Sequence, residues 1–451
     1  MVNRMLILGL DSMPPKILYN LKTLEELMPY TASLLRESAR MIMRSCHPPI
    51  TVPAWMVMFT GKTPGELGIY GFRHRKPGSF EAYIVNSNYI KEETIWDWAG
   101  KHGMKSLVFG VPPTYPPKPI NGVLITDFTT PGPEKPYTWP PWIKRELQKS
   151  VGDVIFDIVY RSHDKNKVRR DLFEMINNHL KVMEYLILRR KWDLIVYVEI
   201  GVDRAHHAFL KYFDKDHPKY TYHEVYSGVI PQVYRVIDEW LYRIHTKYLR
   251  DYIIVLLSDH GIKPMKGAFT INEWLIKEGF LALKSNVDKP GIDLHEEIID
   301  WERTIAWAWG GYYSRVFINL KGREKHGIVS REEYEDVIRD LKKLIQGIQG
   351  PLGESWKNIV VKPTEVYPVV KGDPPDLMVY LDDLYWRPAG TIGWGKLYLP
   401  ENDRGPDDAV HDWYGVFAVY DPEQRVERIT DRVVEAPEVR KILEKLIQGD
   451  Y

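Results

Sequence analysis

Acidic and histidine side chains follow several apolar segments of the sequence, where they could bind metal ions. Asp11, Asp203 and the pair Asp259-His260 each come shortly after an apolar run. Asp203 and His207 are four residues apart, so on a helix both side chains would lie on one face and could reach one ion. Carboxylate and imidazole ligands without a thiolate suit zinc or manganese better than magnesium.

The local sequence around two of the candidate ligands fits this chemistry. Adjacent Asp259 and His260 can share a metal only where the backbone leaves regular structure, and Gly261 permits such a turn. His411 stands just before the apolar run 415–420. Each residue alone also fits a structural role, such as a helix N-cap, a solvated histidine or a polar turn. Their repetition at several strand ends is what indicates a two-metal site.

Thr51 is the candidate nucleophile. It precedes an apolar helical segment that ends near Gly61, and Pro53 falls in the first turn, so the sequence predicts Thr51 as the helix N-cap. A hydroxyl there faces free N–H groups that favour a phosphate oxyanion. Contact with a metal would help to form the alkoxide.

Alternating strand and helix patterns would position these residues. Apolar runs predict buried parallel strands, and three segments with apolar residues at spacings of three and four predict helices between them. The predicted strands are 5–10, 106–109, 194–199 and 252–258, and the predicted helices are 29–40, 167–189 and 222–248. The alternation predicts an α/β fold with a mostly parallel central sheet and helices on both faces.

The sequence changes character from about residue 263 to residue 400. Trp, Tyr, Gly and Pro become frequent there, and one helix stands out at 331–346. The run 415–420 then returns to an apolar strand. We therefore expect an α/β core over 1–262 plus 401–451 and an inserted cap region over 263–400.

Composition limits the partners and the type of site. The 451 residues contain 61 Lys plus Arg and 61 Asp plus Glu, which gives no reason to expect a standing nucleic-acid partner. The single cysteine, Cys46, excludes an internal disulfide and a cysteine-built metal site. No stretch is apolar enough to cross a bilayer, and the first residues leave no room for a signal peptide, so a cytoplasmic location is expected. The expected partner is a small-molecule phosphate ester, and the oligomeric state stays open.

These motifs resemble the alkaline phosphatase superfamily and, within it, the prokaryotic members of the type I phosphodiesterase and nucleotide pyrophosphatase family. The resemblance implies an alkaline-phosphatase-like fold and two divalent metal ions, usually zinc, with manganese as the alternative. It implies that Asp11, Thr51, Asp259 and His260 hold one ion, and that Asp203, His207 and His411 hold the other. It also implies attack of Thr51 on phosphorus and hydrolysis of a phosphothreonine-type intermediate.

Departures from relatives narrow the expected substrate. Cys46-His47-Pro48-Pro49-Ile50 is similar to the sulfatase pattern, but Ile50 stands where that pattern requires arginine. No arginine follows Thr51 to clamp a dianionic monoester, which favours a phosphodiester or pyrophosphate. The asparagine that eukaryotic relatives carry about twenty residues after the nucleophile is missing. Arg73 or Asn86 could replace it as a substrate contact.

Three alternatives remain open on the sequence alone. The chain could be a phosphomonoesterase or a phosphomutase of the same superfamily. It could also be a non-catalytic protein that binds a phosphate ligand.

Overall fold

The structure is a computed structural model that describes residues 3–36, 38–430 and 432–450. The strands of this part of the chain are β1 (Met5–Leu10), β2 (Ala39–Arg44), β3 (Arg73–Arg75), β4 (Ala82–Ile84), β5 (Ser106–Phe109), β6 (Gly122–Ile125), β7 (Thr138–Trp139), β8 (Leu194–Glu199), β9 (Ile253–Leu257), β10 (Gly261–Pro264), β11 (Gly267–Thr270), β12 (Ala306–Trp309), β13 (Ser314–Ile318), β14 (Ile359–Val361), β15 (Leu377–Tyr380), β16 (Trp386–Ala389), β17 (Tyr398–Leu399), β18 (Ala409–Asp412), β19 (Tyr414–Tyr420) and β20 (Val433–Glu435).

The described residues also form α-helices. They are α1 (Pro15–Tyr19), α2 (Leu21–Leu27), α3 (Pro29–Leu35), α4 (Thr51–Thr60), α5 (Pro64–Leu67), α6 (Ile95–Lys101), α7 (Trp142–Ser150), α8 (Lys165–Arg189), α9 (Gly201–Phe213), α10 (Val229–Tyr248), α11 (Ile271–Lys277), α12 (Tyr334–Gln346), α13 (Pro363–Val366) and α14 (Ala436–Gln448). Among the described residues, no helix is both long enough and apolar enough to span a membrane.

The chain divides into two compact units. The first comprises residues 1–67, 85–262 and 411–451, and the second comprises 68–84 and 263–410. The sequence had placed residues 68–84 and 401–410 in the core, whereas here they group with the second unit. Residues 73–84 do so because they form the hairpin of β3 and β4, from which Arg75 pairs with Glu324 and Asp373 of the same unit.

A nine-stranded, mostly parallel sheet forms the centre of the first unit. Its order is β20-β2-β19-β9-β1-β8-β5-β6-β7. Strands β9, β1, β8, β5 and β6 run parallel, while β19 runs antiparallel to both β9 and β2. Strands β1, β8 and β9 are buried along their whole length, which explains why they consist almost entirely of apolar residues.

Helices flank this sheet on both faces. They form two groups, and the helices within each group pack against one another. One group contains α4, α6 and α14, and the other contains α1, α2, α3, α8, α9 and α10. The predicted α/β class with a mostly parallel sheet is therefore confirmed.

The second unit contains smaller sheets. Strands β12-β13-β15-β14 form an antiparallel sheet, and β16-β11-β17 form a three-stranded sheet. A hydrophobic cluster that includes Trp274, Trp307 and Leu341 packs between elements of this unit. Much of the high aromatic content of the region is therefore used in packing.

Several predicted element boundaries were wrong. The helix predicted over 29–40 ends at Leu35, and Ala39–Arg44 form β2 instead, because pairing with β19 and β20 outweighs the helical spacing of the apolar residues. Helix α10 begins at Val229 rather than residue 222, and α12 begins at Tyr334 rather than residue 331.

Candidate active site

The sheet topology brings the predicted ligands to one edge of the first unit. Strands β9, β1 and β8 are adjacent and parallel, so the residues that follow them emerge at the same edge. Asp11 follows β1, Asp259 and His260 follow β9, and Asp203 lies in the first turn of α9 after β8. Strand β19 is antiparallel to β9, so it begins at the edge where β9 ends. His411 lies shortly before β19 and is therefore at the same edge.

Two groups of buried side chains result from this arrangement. Candidate ligand atoms of Asp11, Asp259 and His260 lie within 4.8 Å of one another, and so do those of Asp203, His260 and His411. His260 is common to both groups. Its Nε2 lies 3.1 Å from Oδ2 of Asp259 and 3.7 Å from Oδ1 of Asp11, and its ring stacks on that of His411 at 3.7 Å.

Helix α4 brings Thr51 to the same place. Thr51 is the first residue of the helix, and Ile50 is the N-cap, so the predicted cap position was wrong by one residue. The helix begins there because Ile50 has an extended backbone and Pro53 fits its first turn. The Thr51 hydroxyl is buried and lies 3.3 Å from Nε2 of His260.

In each of the three aspartates, one carboxylate oxygen is held by a neighbour. Oδ2 of Asp11 accepts from the indole N–H of Trp55 at 2.8 Å, and Oδ2 of Asp203 accepts from Nη1 of Arg204 at 2.7 Å. Oδ1 of Asp259 accepts from the backbone N–H of Ser12 at 3.2 Å. These neighbours fix the orientation of all three carboxylates.

The other oxygen of each carboxylate is buried and accepts no hydrogen bond of standard geometry: Oδ1 of Asp11, Oδ1 of Asp203 and Oδ2 of Asp259. Burying an ionised carboxylate without a partner costs several kcal/mol, in order of magnitude. Bound cations would remove this cost. The donor set of carboxylates, imidazoles and a hydroxyl therefore fits two divalent ions.

Burial and neighbouring charges also shift the pKa values of the three carboxylates. Burial, together with the charges of Asp259 and Asp203, raises the pKa of Asp11 well above its usual range. Burial raises the pKa of Asp259 to about 6, although His260 opposes the shift. Burial also acts to raise the pKa of Asp203, but His207 and Arg204 hold it well below its usual range. In the metal-free site, the pKa values of Asp11 and Asp259 are thus raised and that of Asp203 is lowered.

Helix α9 separates the two neighbouring histidines of the motif. Nε2 of His207 lies 3.2 Å from Oδ1 of Asp203, and the His207 and His411 rings are 5.5 Å apart. His207 nevertheless lies outside the two tight groups of candidate ligands. His206 turns away to Ser12 and Tyr234, and burial lowers its pKa to about 3. His206 is one residue out of phase with Asp203 and His207 on the helix and therefore lies away from them.

The two predicted substrate contacts are not in these groups. Arg73 is exposed on β3, in the second unit. The Asn86 side chain accepts a hydrogen bond from the N–H of Asn88 at 3.0 Å and caps a short 3₁₀ helix. Their roles with substrate stay predictions.

The sequence analysis missed the residues that orient the carboxylates, namely Trp55, Ser12 and Arg204. Gly9, two residues before Asp11, was a sequence signal that a large side chain packs closely against β1. A Cβ atom on Gly9 would lie 2.5 Å from the Trp55 ring and 2.8 Å from Val198, so glycine is what lets Trp55 pack over β1.

Comparison with known proteins shows the family to which the chain belongs. A sequence model of the family described as type I phosphodiesterase / nucleotide pyrophosphatase matches residues 5–407. The chain belongs to this family. It is accordingly a phosphoric ester hydrolase, and the resemblance read from the motifs is confirmed. A search against curated protein sequences gives no match.

Solved structures with the same fold include ectonucleotide pyrophosphatase / phosphodiesterase 5 from mouse and human. The human protein has a TM-score of 0.58 and the murine protein 0.56, each at 12% sequence identity. Both alignments cover 99% of this chain and 95% of the other. An inactive threonine-to-alanine variant of the murine protein in complex with AMP aligns with a TM-score of 0.54 over the same shares at 12% identity.

Proposed function

We propose that this hydrolase cleaves phosphodiester or pyrophosphate bonds with two divalent cations and with Thr51 as the nucleophile. The observation that carries the proposal is the set of three buried carboxylate oxygens that accept no hydrogen bond of standard geometry and converge with the Thr51 hydroxyl and the stacked imidazoles of His260 and His411. Such an arrangement is costly unless cations complete it.

The expected ligand sets follow the two halves of the site. Asp11, Thr51, Asp259 and His260 would hold one cation, and Asp203, His207 and His411 the other. When bound, the cations would lower the pKa of the Thr51 hydroxyl and neutralise charge on the phosphoryl group. Zinc is the expected metal and manganese the alternative, because the ligands are oxygen and nitrogen atoms.

The chain's own residues would perform a double displacement. Oγ of Thr51 forms a bond to phosphorus while the bond to the leaving oxygen breaks. The hydroxyl proton passes to solvent, and the leaving oxygen takes the electron pair of the broken bond and a proton from water. Water then attacks phosphorus, breaks the bond to Oγ and restores the threonine. Burial of Thr51 at the start of α4 keeps its hydroxyl fixed for both steps.

A diester or pyrophosphate is the expected substrate because no arginine neighbours Thr51 along the chain to bind a dianionic monoester. The AMP complex of the murine relative supports a ligand of the nucleotide class. The test is the rate of hydrolysis of bis-p-nitrophenyl phosphate against p-nitrophenyl phosphate with Zn²⁺ or Mn²⁺ present. We expect the diester to react faster, and equal or faster monoester hydrolysis would overturn the diester assignment.

The variant Thr51→Ala tests the nucleophile. We expect turnover to fall by at least about a thousandfold, since the attacking group is lost, while the remaining ligands keep most of the bound metal. Thr60→Ala is the matched control, because Thr60 lies at the other end of α4 and its hydroxyl donates to the carbonyl of Met56. Turnover that survives in Thr51→Ala would remove Thr51 from this role.

A further inference from the structure

Arg204, directly after Asp203 on α9, has a guanidinium group that donates hydrogen bonds to two carboxylates. Its Nη1 donates to Oδ2 of Asp203 at 2.7 Å. Its Nε and Nη2 donate to the two oxygens of Asp157 at 2.7 and 2.8 Å. The Arg204 side chain is 8% exposed and that of Asp157 is 32% exposed, so the arginine side of this bidentate pair is the one shielded from water.

Two aromatic rings also hold this guanidinium. Its central carbon lies 5.0 Å from the ring centre of Phe128 and 4.6 Å from that of Tyr160. Tyr160 also packs 5.6 Å from the ring of His207. Cation–π contacts of this kind favour a planar guanidinium over an ammonium, so the site is built for arginine.

We propose that Arg204 is a positioning residue that orients Oδ1 of Asp203 towards a cation, and that Asp157 holds the guanidinium of Arg204 in the required orientation. The inference rests on the proposed function, which makes Asp203 a ligand. Oδ2 of Asp203 is tied to Arg204, so the carboxylate cannot rotate and Oδ1 stays directed towards His207. Partners of this kind around ligating carboxylates stabilise the bound metal.

Asp157 has a second effect, through charge. A guanidinium beside a cation site weakens cation binding by repulsion, and the carboxylate of Asp157 offsets that charge. Removing the negative charge of Asp157 should therefore weaken metal binding, both through orientation and through repulsion. Replacing Arg204 by lysine keeps the positive charge but loses the fork of donors, so it isolates the effect of orientation.

The test measures Mn²⁺ binding to the full chain by equilibrium dialysis and electron paramagnetic resonance. We expect wild type to bind two ions, and both Asp157→Asn and Arg204→Lys to lose roughly 10–100-fold in affinity for one of them. Asp157 is 32% exposed and lies outside regular structure, so its amide variant should fold. Asp153→Asn is the control, since Asp153 is exposed in the same segment and its carboxylate accepts a hydrogen bond from the exposed side chain of Gln148.

A Co²⁺-substituted protein gives an independent readout. Reorientation of Asp203 should change the visible ligand-field spectrum in both variants, which a general loss of stability would not do. The double variant should lose no more affinity than the more affected single variant, because Asp157 acts through Arg204.

Wild-type affinity and an unchanged Co²⁺ spectrum in Asp157→Asn would overturn the inference, even if Arg204→Lys failed to fold. That outcome leaves the proposed function intact. Failure of wild type to bind any metal ion would instead contradict the proposed function itself.

Discussion

At the scale of single residues, the candidate site depends on neighbours that donate a hydrogen bond to one oxygen of each carboxylate. Trp55, Arg204 and the backbone of Ser12 supply these hydrogen bonds and leave the opposite oxygens facing the site without a hydrogen bond of standard geometry. The types of the candidate ligands and their places at strand ends could be predicted from the sequence. Their neighbours could not, because Trp55 meets Asp11 only once α4 has packed over β1.

Gly9 makes that packing possible, and its substitution should be costly. In Gly9→Ala the new methyl group would collide with Trp55 and Val198, and overpacking of this kind costs about 1–3 kcal/mol in the free energy of unfolding. The measurement is urea denaturation of the metal-free protein, followed by tryptophan fluorescence.

Gly228→Ala is the control for this change. Gly228 has a right-handed helical conformation with no atom within 4 Å of an added Cβ, so its variant should be as stable as wild type or slightly more stable. Equal stability of the two variants would show that Gly9 is not needed for close approach.

At the scale of elements, buried strands were predictable and partly exposed ones were not. Strands β1, β5 and β8 have the predicted bounds because full burial demands unbroken apolar runs. Strand β2 carries Arg40 and the exposed Arg44, so its sequence continued the preceding helical pattern. The short hairpin of β3 and β4 has no such run at all, and a buried ion pair holds it instead.

That ion pair should dominate the stability of the hairpin. Arg75 is 1% exposed and donates to both oxygens of Glu324 at 2.7 and 2.8 Å and to Asp373 at 2.5 Å. Arg75→Met would remove the shared guanidinium from Asp373 and from Glu324, which keeps the bond from Arg323, and breaking such a buried network costs about 3–5 kcal/mol. Hydrogen exchange of residues 73–84 should accelerate accordingly.

The adjacent Lys76→Met is the matched control for Arg75→Met. Lys76 pairs with Glu81, and both side chains are more than half exposed, so its loss should change stability by less than about 0.5 kcal/mol. Similar exchange rates in the two variants would mean that the buried pair does not anchor the hairpin.

At the scale of the whole molecule, the sequence indicated an α/β core and a region of different texture. It could not indicate that 68–84 group with that region, because ion pairs between residues 75, 324 and 373 leave no local pattern. All seven predicted metal ligands belong to the first unit, whereas the second unit holds none of them. Metal binding should therefore stabilise one part of the chain selectively.

Chelation makes this difference measurable. Removing the cations leaves one buried oxygen of each of the three carboxylates without a hydrogen bond of standard geometry. The stabilisation lost is about 4 kcal/mol per site when the free metal concentration is a thousand times its dissociation constant. After treatment with EDTA, hydrogen exchange should rise in β1, β9 and α9, while β12 to β15 serve as the internal reference. Adding Zn²⁺ should restore protection, and Mg²⁺ should do so less well, because imidazole ligands favour zinc. Exchange that rises equally in both sets of strands, or in neither, would contradict the placement of the cations at this edge of the sheet.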